Sequence, residues 1–518
     1  MQQPLASHGR SARQRRAGLL LHPTSLPGGH GVGDLGAEAY SLLQWLSSAG
    51  LSVWQVLPVG PVDAGGSPYT SRSALAGNLA LVDLRQLVVA GLLDAAAVQG
   101  SPSNGRRVDW PQVLAFKVPC VLRAAAALVA DSHHPFQDEL LEFERGESAW
   151  LDDFALYETL RAANGDEPWW RWPAAARDRD PEALQTARVS EGYRIQVAAQ
   201  YLFQRQWMAL RAAAESLEIA LAGDAPIYVA HDSADVWAQR HLFQLDADGH
   251  CTAIAGVPPD AFSEVGQLWG NPLYDWPQHE AEGFAWWQMR MRRLATLVHA
   301  VRIDHFRGLA AYWKVPADAE DARLGRWDAG PGAPLLRALA AVGIELWAED
   351  LGVIDDGVIA LRDGADLPGM AILQFAWDGD PDNPYLPYHH VRHQVAYTGT
   401  HDNDTVLGWW ATCSELERHR ARVYFGIDGH DLAWDLIRAC LQSVADCAMV
   451  PVQDVLALGS EARMNAPGKT NGNWAFRLLP AELGRHHAER LRGLCATFGR
   501  LRRRTPTPGA IADDATSG

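Results

Sequence analysis

Short hydrophobic runs, each followed by a polar or glycine-bearing loop, recur along the chain. Several are apolar without alternation, which is typical of parallel strands buried on both faces. Helix-like segments lie between many of them, including 37–49, 286–299 and 335–342. Because strands and helices alternate, the pattern predicts an α/β fold, a (β/α)8 TIM barrel. The eight predicted strands are 17–21, 53–59, 219–229, 300–303, 344–348, 371–375, 394–397 and 448–451.

The spacing of these runs is uneven. Residues 85–218 are rich in Ala, Leu and Arg and have a helical pattern, which predicts a mostly helical insertion or subdomain. Residues 231–284 are rich in Pro, Gly, Asp and Trp and show no obvious element, and such long loops are usually functional or disordered. Tryptophans in or beside this segment argue against disorder, so we interpret it as an active-site loop region. They are Trp237, Trp269, Trp276 and Trp286.

The two ends of the chain differ from the predicted catalytic barrel, which we place at residues 17–505. Residues 1–16 are polar and arginine-rich, lack the apolar region of a secretory signal, and are predicted to be a disordered arm. A disordered tail is predicted at 506–518. The apolar stretches fall short of the roughly 20 residues that span a bilayer, so no membrane association is expected. No C-terminal β-sandwich domain is expected after the eighth strand.

Composition narrows the classes of function. The 518 residues are 48% hydrophobic and carry a net charge of −17, which argues against a nucleic-acid partner because phosphates require a basic surface. The six cysteines contain no CxxC pair, so neither a disulfide scaffold nor a zinc site is indicated, and a reducing, cytoplasmic location fits best. The 21 tryptophans include candidates for flat platforms that bind ligand faces.

Acidic residues follow several predicted strands, at the end of a barrel where chemistry takes place. They are Asp304 in VRIDHF, Glu349 in IELWAEDLG and Asp402 in VAYTGTHDND. Arg302 lies two residues before Asp304, so a strand projects both to the same side. The guanidinium is expected to lower the pKa of Asp304, which keeps a nucleophile ionised. Neighbouring negative charge is expected to raise the pKa of Glu349, which suits a proton donor.

A single aspartate after a strand is more often a helix cap or a turn former. Three acidic groups at predicted strand ends, two of them with an Arg or His neighbour, favour catalysis instead. A glycosidase needs one carboxylate to attack or stabilise the sugar carbon and one carboxylic acid to protonate the leaving oxygen. The sequence therefore predicts an enzyme that cleaves and re-forms glycosidic bonds.

Long blocks of the chain, from about residue 17 to 480, resemble glycoside hydrolase family 77, the 4-α-glucanotransferases or amylomaltases. These blocks are GLLLHPTSLPGGHGVGDLG, SPYTSRSALAGN, GDAPIYVAHDSADVWA, GVPPDAFSEVGQLWGNPLYDW, VRIDHFRGLAAYWKVP, WAEDLGVI, LPGMAILQFAW, YTGTHDNDTVLGWW, PVQDVLALGSEARMNAPG and GNW. Two positions depart from the family pattern: Leu79 stands where a proline is usual after Asn78, and Phe476 where a second tryptophan is usual. Both departures leave the preference of the sugar subsites open.

The resemblance implies transfer of a segment of an α-1,4-glucan to the 4-hydroxyl of an acceptor glucose or maltooligosaccharide. It implies a retaining double displacement in which Asp304 forms a covalent glucosyl-enzyme, Glu349 is the acid/base and Asp402 stabilises the distorted sugar. No cofactor or metal is implied. The residues implied to bind substrate are Tyr69, under the reacting ring, with Asp224, Trp269, Arg302, His401 and Asn465.

Other functions stay open at this point. Transfer follows only from the resemblance, so an amylase-like α-1,4-glucan hydrolase and a non-catalytic carbohydrate-binding protein are alternatives. A GxGxxG match at Gly31, Gly33 and Gly36 allows a nicotinamide-dependent oxidoreductase, but it does not follow its strand directly and lacks the acidic residue about 20 positions on. A metal hydrolase is disfavoured because three adjacent pairs of candidate metal ligands lack the spacing of a metal site. These pairs are His133-His134, His231-Asp232 and His389-His390.

Overall fold

The computed structural model describes residues 14–102, 105–259, 263–469 and 471–501. The predicted tail at 506–518 and most of the predicted arm lie outside these residues. The end of the arm was predicted wrongly, because Arg16 begins the first strand. Arg15 donates to the Phe498 carbonyl at 2.6 Å, and Arg16 pairs with Glu345 at 2.5 Å. Arginines that resemble a polar tail in the sequence therefore anchor the first strand.

Eight parallel strands form the barrel predicted from the sequence, in the order β10-β11-β12-β1-β2-β3-β6-β9. Ala348 at the end of β9 donates to the carbonyl of Pro368, just before β10, at 2.9 Å, which joins the two ends of the sheet. The barrel strands are β1 (Arg16–Leu20), β2 (Val53–Gln55), β3 (Ala220–Ala225), β6 (Ala300–Ile303), β9 (Glu345–Ala348), β10 (Gly369–Ile372), β11 (Gln394–Tyr397) and β12 (Cys447–Pro451).

All eight predicted strands are present, but β2, β3 and β10 are shorter than predicted or shifted. The reason is that apolar residues continue into the loops, where Leu57 and Ile227 are buried outside the paired strands. The barrel interior is filled by side chains from its own strands, including Trp347, Tyr397 and Met449. Gly18 on β1 has no room for a side chain, since a Cβ would lie 2.6 Å from the Met449 sulfur.

Helices surround the barrel and fill most of the segment between β2 and β3. The predicted helices at 37–49, 286–299 and 335–342 correspond to α1, α10 and α11. The helices are α1 (Ala37–Ala49), α2 (Leu84–Val89), α3 (Trp110–Ala130), α4 (Gln137–Ala163), α5 (Ala174–Arg177), α6 (Pro181–Arg188), α7 (Glu191–Ser216), α8 (Ala234–Ala238), α9 (Trp276–Ala281), α10 (Ala285–Leu297), α11 (Gly332–Ala340), α12 (Asp356–Gly364), α13 (Val406–Thr412), α14 (Glu415–Phe425), α15 (Leu432–Gln442), α16 (Val452–Val455) and α17 (Arg485–Thr497).

Helix α3 corrects the expectation that every apolar stretch is too short to cross a bilayer. By length and composition alone, this helix of 21 residues could cross a bilayer, and its mean hydropathy is 1.9. The helix packs in the fold against α7 and buries Val113, Cys120 and Leu128. It also buries Lys117, whose ammonium pairs with Asp34 at 3.2 Å. A helix buried in a protein core can have this length and composition without crossing a membrane.

The region 231–284 contains strands that the sequence did not predict. Strands β4 (Ala253–Val257) and β5 (Gln267–Pro272) join β7 (Ala311–Pro316) and β8 (Arg326–Ala329) in an antiparallel sheet of order β5-β4-β7-β8. Local periodicity could not reveal them, because β4 pairs with β7 some sixty positions on, as Ala253 with Pro316. A register shift between β4 and β5 further breaks the alternation that marks a strand.

Candidate active site

Neighbouring strands β3 and β6 bring an aspartate, an arginine and a second aspartate together. Asp224 and Arg302 are in register across the two strands, and the Arg302 Nη1 donates to Asp224 Oδ2 at 2.5 Å. The other guanidinium nitrogen, Nη2, lies 2.9 Å from Asp304 Oδ1. Arg302 and Asp304 therefore project to the same side, as the two-residue spacing predicts. One buried cation, 3% exposed, bridges two carboxylates.

The electrostatics of Asp304 differ from the sequence prediction. Burial raises the pKa of Asp304 to about 7, and the nearby charges of Asp224 and Asp402 act in the same direction. Arg302 does lower this pKa, as predicted, but its effect is smaller than that of burial. The prediction of a lowered pKa was wrong because it counted the neighbouring charge and not the loss of water.

Glu349 follows β9, the next strand of the barrel, and is held by backbone amides. Its Oε2 accepts from the His305 N–H at 2.6 Å, and its Oε1 accepts from the Leu351 N–H at 3.1 Å. Burial raises the pKa of Glu349 well above its usual value, Arg302 opposes the shift, and Asp304 adds to it. The predicted direction is confirmed, although burial and not negative charge is the larger cause. Burial therefore favours the protonated form of Glu349.

Asp402 lies in the loop after β11 and is oriented by side chains from the segment after β12. Asn465 Nδ2 donates to Asp402 Oδ1 at 2.6 Å, and Arg463 donates to the Asp402 carbonyl at 2.6 Å. His401 Nε2 lies 3.3 Å from Asp402 Oδ2. Burial lowers the pKa of His401, with Asp402 acting in the opposite direction, so the imidazole is neutral at pH 7.

Tyr69 connects these two groups of residues. Its hydroxyl donates to Asp224 Oδ2 at 2.8 Å, and its ring stacks on His401 with centroids 5.3 Å apart. Burial and the charge of Asp224 raise the pKa of Tyr69, so the phenol keeps its proton. Trp474 packs against both rings, at 5.5 Å from Tyr69 and 5.9 Å from His401.

Trp269 on β5 lies at the edge of this arrangement and is 36% exposed. Its ring meets the His305 ring edge to face, with centroids 4.8 Å apart. His305 directly follows Asp304 and has a left-handed backbone with φ of 48°. This contact places an exposed aromatic surface beside the segment that carries Asp304.

The structure thus brings all nine predicted site residues into one connected set. Sequence reasoning missed Trp474, Arg463 and the backbone of His305. Trp474 lies in the GNW block and, like His305, has a positive φ, which is uncommon for a large residue and often marks a functional site. That conformation is not visible in the sequence, so only the block itself was a signal.

The two departures from the family pattern have local structural roles. Asn78 caps a short helical turn by accepting from the Ala80 N–H at 2.9 Å, with Leu79 as the first residue of that turn. Phe476 is buried, at 2% exposure.

The alternative chemistries gain no support from the geometry. Gly33 lies against the protein's own backbone, since a Cβ there would be 2.0 Å from the Pro23 carbonyl, so the GxGxxG loop packs on itself. Among the residues described, no group of three His, Cys, Asp or Glu side chains has the arrangement of a metal site. His134 and His231 each contact a backbone carbonyl, of Ala90 and Gly249, as structural histidines do.

Known proteins resemble this chain along most of its length. A family model described as 4-alpha-glucanotransferase, glycoside hydrolase family 77, matches residues 21–482. The chain is 47% identical over 502 residues to the 4-alpha-glucanotransferase of Thermus thermophilus, covering 94% of this chain and 99% of that protein. The chain belongs to glycoside hydrolase family 77.

Further members of family 77 match over most of their length. The chloroplastic/amyloplastic 4-alpha-glucanotransferase of Solanum tuberosum is 45% identical over 507 residues, covering 94% of this chain and 87% of that protein. The amylomaltase of Streptococcus agalactiae, solved in complex with acarbose, has a TM-score of 0.91 at 32% identity, covering 94% of this chain and 100% of that one. The resemblance, the TIM barrel and the assignment as a 4-alpha-glucanotransferase of family 77 are confirmed.

Proposed function

We propose that the enzyme transfers an α-1,4-glucan segment by a retaining double displacement through a covalent glucosyl-enzyme, with Asp304 as the nucleophile and Glu349 as the acid/base. The observation that supports this division of roles is the position of Arg302, which pairs with Asp304. Its guanidinium lies 2.9 Å from Asp304 and favours the ionised form of that carboxyl group, whereas burial raises the pKa of Glu349 and favours its protonated form. A nucleophile and a proton donor require these opposite states.

In the first step, the Asp304 carboxylate attacks the anomeric carbon of the donor and forms a glycosyl ester. The glycosidic C–O bond breaks, and Glu349 gives its proton to the departing oxygen, which becomes the 4-hydroxyl of the leaving glucan. In the second step, the Glu349 carboxylate takes the proton from the 4-hydroxyl of an acceptor glucose or maltooligosaccharide. The acceptor oxygen then displaces Asp304, and the configuration at the sugar carbon is retained.

We assign the binding of the reacting sugar to the residues around this pair. Asp224 Oδ1 is buried and has no hydrogen-bond partner within the described part of the chain, so it is a ready acceptor for a sugar hydroxyl. Tyr69 and His401 present stacked rings for the sugar face. Asp402, with an exposed fraction of 38% for its side chain, is oriented by Asn465 towards hydroxyls of the distorted ring.

Transfer rather than hydrolysis requires a sugar hydroxyl to occupy the place of water at the glucosyl-enzyme. The exposed ring of Trp269, fixed against His305, offers a stacking surface for an acceptor near the nucleophile. A cytoplasmic location is proposed because all six cysteines are free in the fold. Fractionation of cells that express the protein tests this location.

The transfer is tested by incubating the protein with maltotriose and separating the products. A ladder of longer maltooligosaccharides together with glucose is expected. Glucose and maltose alone would indicate an amylase-like hydrolase, and an unchanged substrate with retained binding would indicate a carbohydrate-binding protein. The covalent step is tested by mass spectrometry of Glu349→Gln with α-maltosyl fluoride, which needs no acid to leave. A glycosyl adduct is expected in Glu349→Gln and not in Glu349→Gln combined with Asp304→Asn.

A further inference from the structure

The loop that carries His401 and Asp402 is held at both ends by one buried carboxylate. The loop starts after β11 and ends where α13 begins. Asp454 Oδ2 accepts from the Thr398 hydroxyl at 2.6 Å, at the first residue of the loop. Asp454 Oδ1 accepts from the Val406 N–H at 2.8 Å, at the first residue of α13. Asp454 itself is 1% exposed.

We propose that Asp454 is a positioning residue, whose carboxylate joins both ends of the 398–406 loop and thereby fixes Asp402 for the transition state. This role rests on the proposed function of Asp402. Asp454 lies on α16, which directly follows β12, and β12 pairs with β11 in the barrel. The two donors are therefore anchored to the neighbouring strand of the same rigid sheet.

Other hydrogen bonds in the loop have different structural roles. Asn403 Oδ1 accepts from both the N–H and the hydroxyl of Thr400 at 2.8 Å, which fixes the shape of the turn. Arg463 and Asn465 bind Asp402 directly, but both are only partly buried. The Gln374 amide, after β10, donates to the Asp404 carbonyl at 2.8 Å and holds one point of the loop, whereas Asp454 binds both of its ends.

The chemistry of a carboxylate explains why an aspartate occupies this position. Its two oxygens can each accept a separate hydrogen bond, whereas an amide offers one oxygen acceptor and an alkyl group none. Burial raises the pKa of Asp454 to about 6, while the bonds from Thr398 and Val406 oppose the shift and the charge of Asp404 adds to it. Removing the carboxylate would leave a buried hydroxyl and a buried N–H without an acceptor, which is costly.

The proposal is tested by comparing the kinetics on maltotriose of Asp454→Ala, Asp454→Asn and Thr398→Val. Because small displacements of catalytic groups reduce turnover strongly, kcat is expected to fall roughly tenfold or more in Asp454→Ala and less in Asp454→Asn. KM is expected to stay within about twofold, since Asp402 is proposed to act on the distorted sugar and not on the ground state. Thr398→Val and Asp454→Ala are expected to combine non-additively, because both remove the bond between Thr398 and Asp454.

The matched control is Asp83→Asn, a buried aspartate that accepts from the Arg85 N–H at 3.0 Å at the start of α2. It is expected to change the thermal midpoint without changing kcat. An unchanged kcat in folded Asp454→Ala, a loss of kcat in Asp83→Asn as large as in Asp454→Asn, or a rise in KM alone would overturn the proposal. If Asp454→Ala does not fold, Asp454→Asn and Thr398→Val decide. A wild-type protein inactive on maltotriose would instead refute the proposed function.

Discussion

Two halves of the active site are built in different ways. In the strand half, Asp224, Arg302, Asp304 and Glu349 lie at the ends of three adjacent barrel strands, β3, β6 and β9. In the loop half, Tyr69, His401, Asp402 and Asn465 lie on loops and are held by hydrogen bonds and stacked rings. Asp224 and Arg302 in the strand half are buried, whereas the Asp402 side chain in the loop half is 38% exposed.

This difference suggests a division of work. Strand ends hold groups with little freedom, which suits two carboxyl groups whose proton affinities depend on burial and on one arginine. Loops can be reshaped without unfolding a barrel, which suits residues that recognise sugar hydroxyls. We therefore expect changes in the strand half to alter the proton affinities on which the chemical step depends, and changes in the loop half to alter stabilisation of the distorted sugar without moving those proton affinities.

The largest effect is expected from Asp304→Asn. The amide cannot form the glycosyl ester, so kcat for transfer from maltotriose is expected to fall roughly 10⁴-fold or more. Binding of maltotriose, measured by calorimetry, is expected to persist because the amide preserves the shape of the side chain. Appreciable turnover in Asp304→Asn, free of wild-type contamination, would show that another group is the nucleophile.

Arg302→Gln tests the role of the strand half through the pH dependence of kcat/KM. The wild-type kcat/KM is expected to rise with pH as Asp304 ionises, because its pKa is raised to about 7, and to fall at higher pH as Glu349 loses its proton. The pKa values of the rising acid limb and the falling basic limb belong to the interacting pair and not to either residue alone. Arg302 lowers the pKa of Asp304, so its removal is expected to move the acid limb to higher pH and to reduce kcat roughly 10²–10³-fold.

The matched variant in the loop half is Tyr69→Phe, which removes one bond to Asp224 and keeps the stacked ring. Its acid limb is expected to stay close to that of the wild type. An acid limb that moves as far in Tyr69→Phe as in Arg302→Gln would remove the distinction between the two halves.

The sequence was most informative for the strand half. The two-residue spacing of Arg302 and Asp304 and the apolar runs before Asp304 and Glu349 predict their positions, because strand periodicity is local. The raised pKa of Asp304 could not be predicted in this way, since it depends on burial by distant segments. The small sheet was missed for the same reason, because β4 pairs with a strand far along the chain.

In the loop half, the family resemblance alone assigned a binding role to Tyr69 and Asn465, as it did to Asp224 in the strand half and to Trp269 on β5. A tyrosine after Ser-Pro or an asparagine in a turn has no local pattern that distinguishes binding from packing. The contact of Asn465 with Asp402 spans 63 positions and forms only when β11 and β12 are adjacent. The role of Trp474 was likewise hidden, because its left-handed backbone appears only in the fold.

A smaller effect is expected from Asn465→Ala. It removes the bond of 2.6 Å that orients Asp402 Oδ1 and leaves Glu349 and Asp304 in place. The loss of one hydrogen bond to a charged group corresponds to about 1.5–3 kcal/mol, so kcat/KM is expected to fall roughly 10- to 150-fold. The pH profile should keep its wild-type limbs. A shifted acid limb would mean that the loop half also sets the proton affinity of the strand half.

The smallest effect on overall rate, and the sharpest test of transfer, is expected from Trp269→Ala. The ring contacts His305 and Gln267 beside the nucleophile segment, so donor cleavage should change only a few-fold. Loss of an acceptor platform should instead raise the acceptor KM and the share of glucosyl-enzyme that reacts with water. The measurement is the ratio of released reducing ends to transferred glucan with maltotriose as donor and increasing glucose as acceptor.

Trp327→Ala, on the far edge strand of the same small sheet and 39% exposed, is the control for a general loss of sheet stability. If both variants shift the ratio equally, the small sheet acts as a whole, and Trp269 has no specific role in acceptor binding.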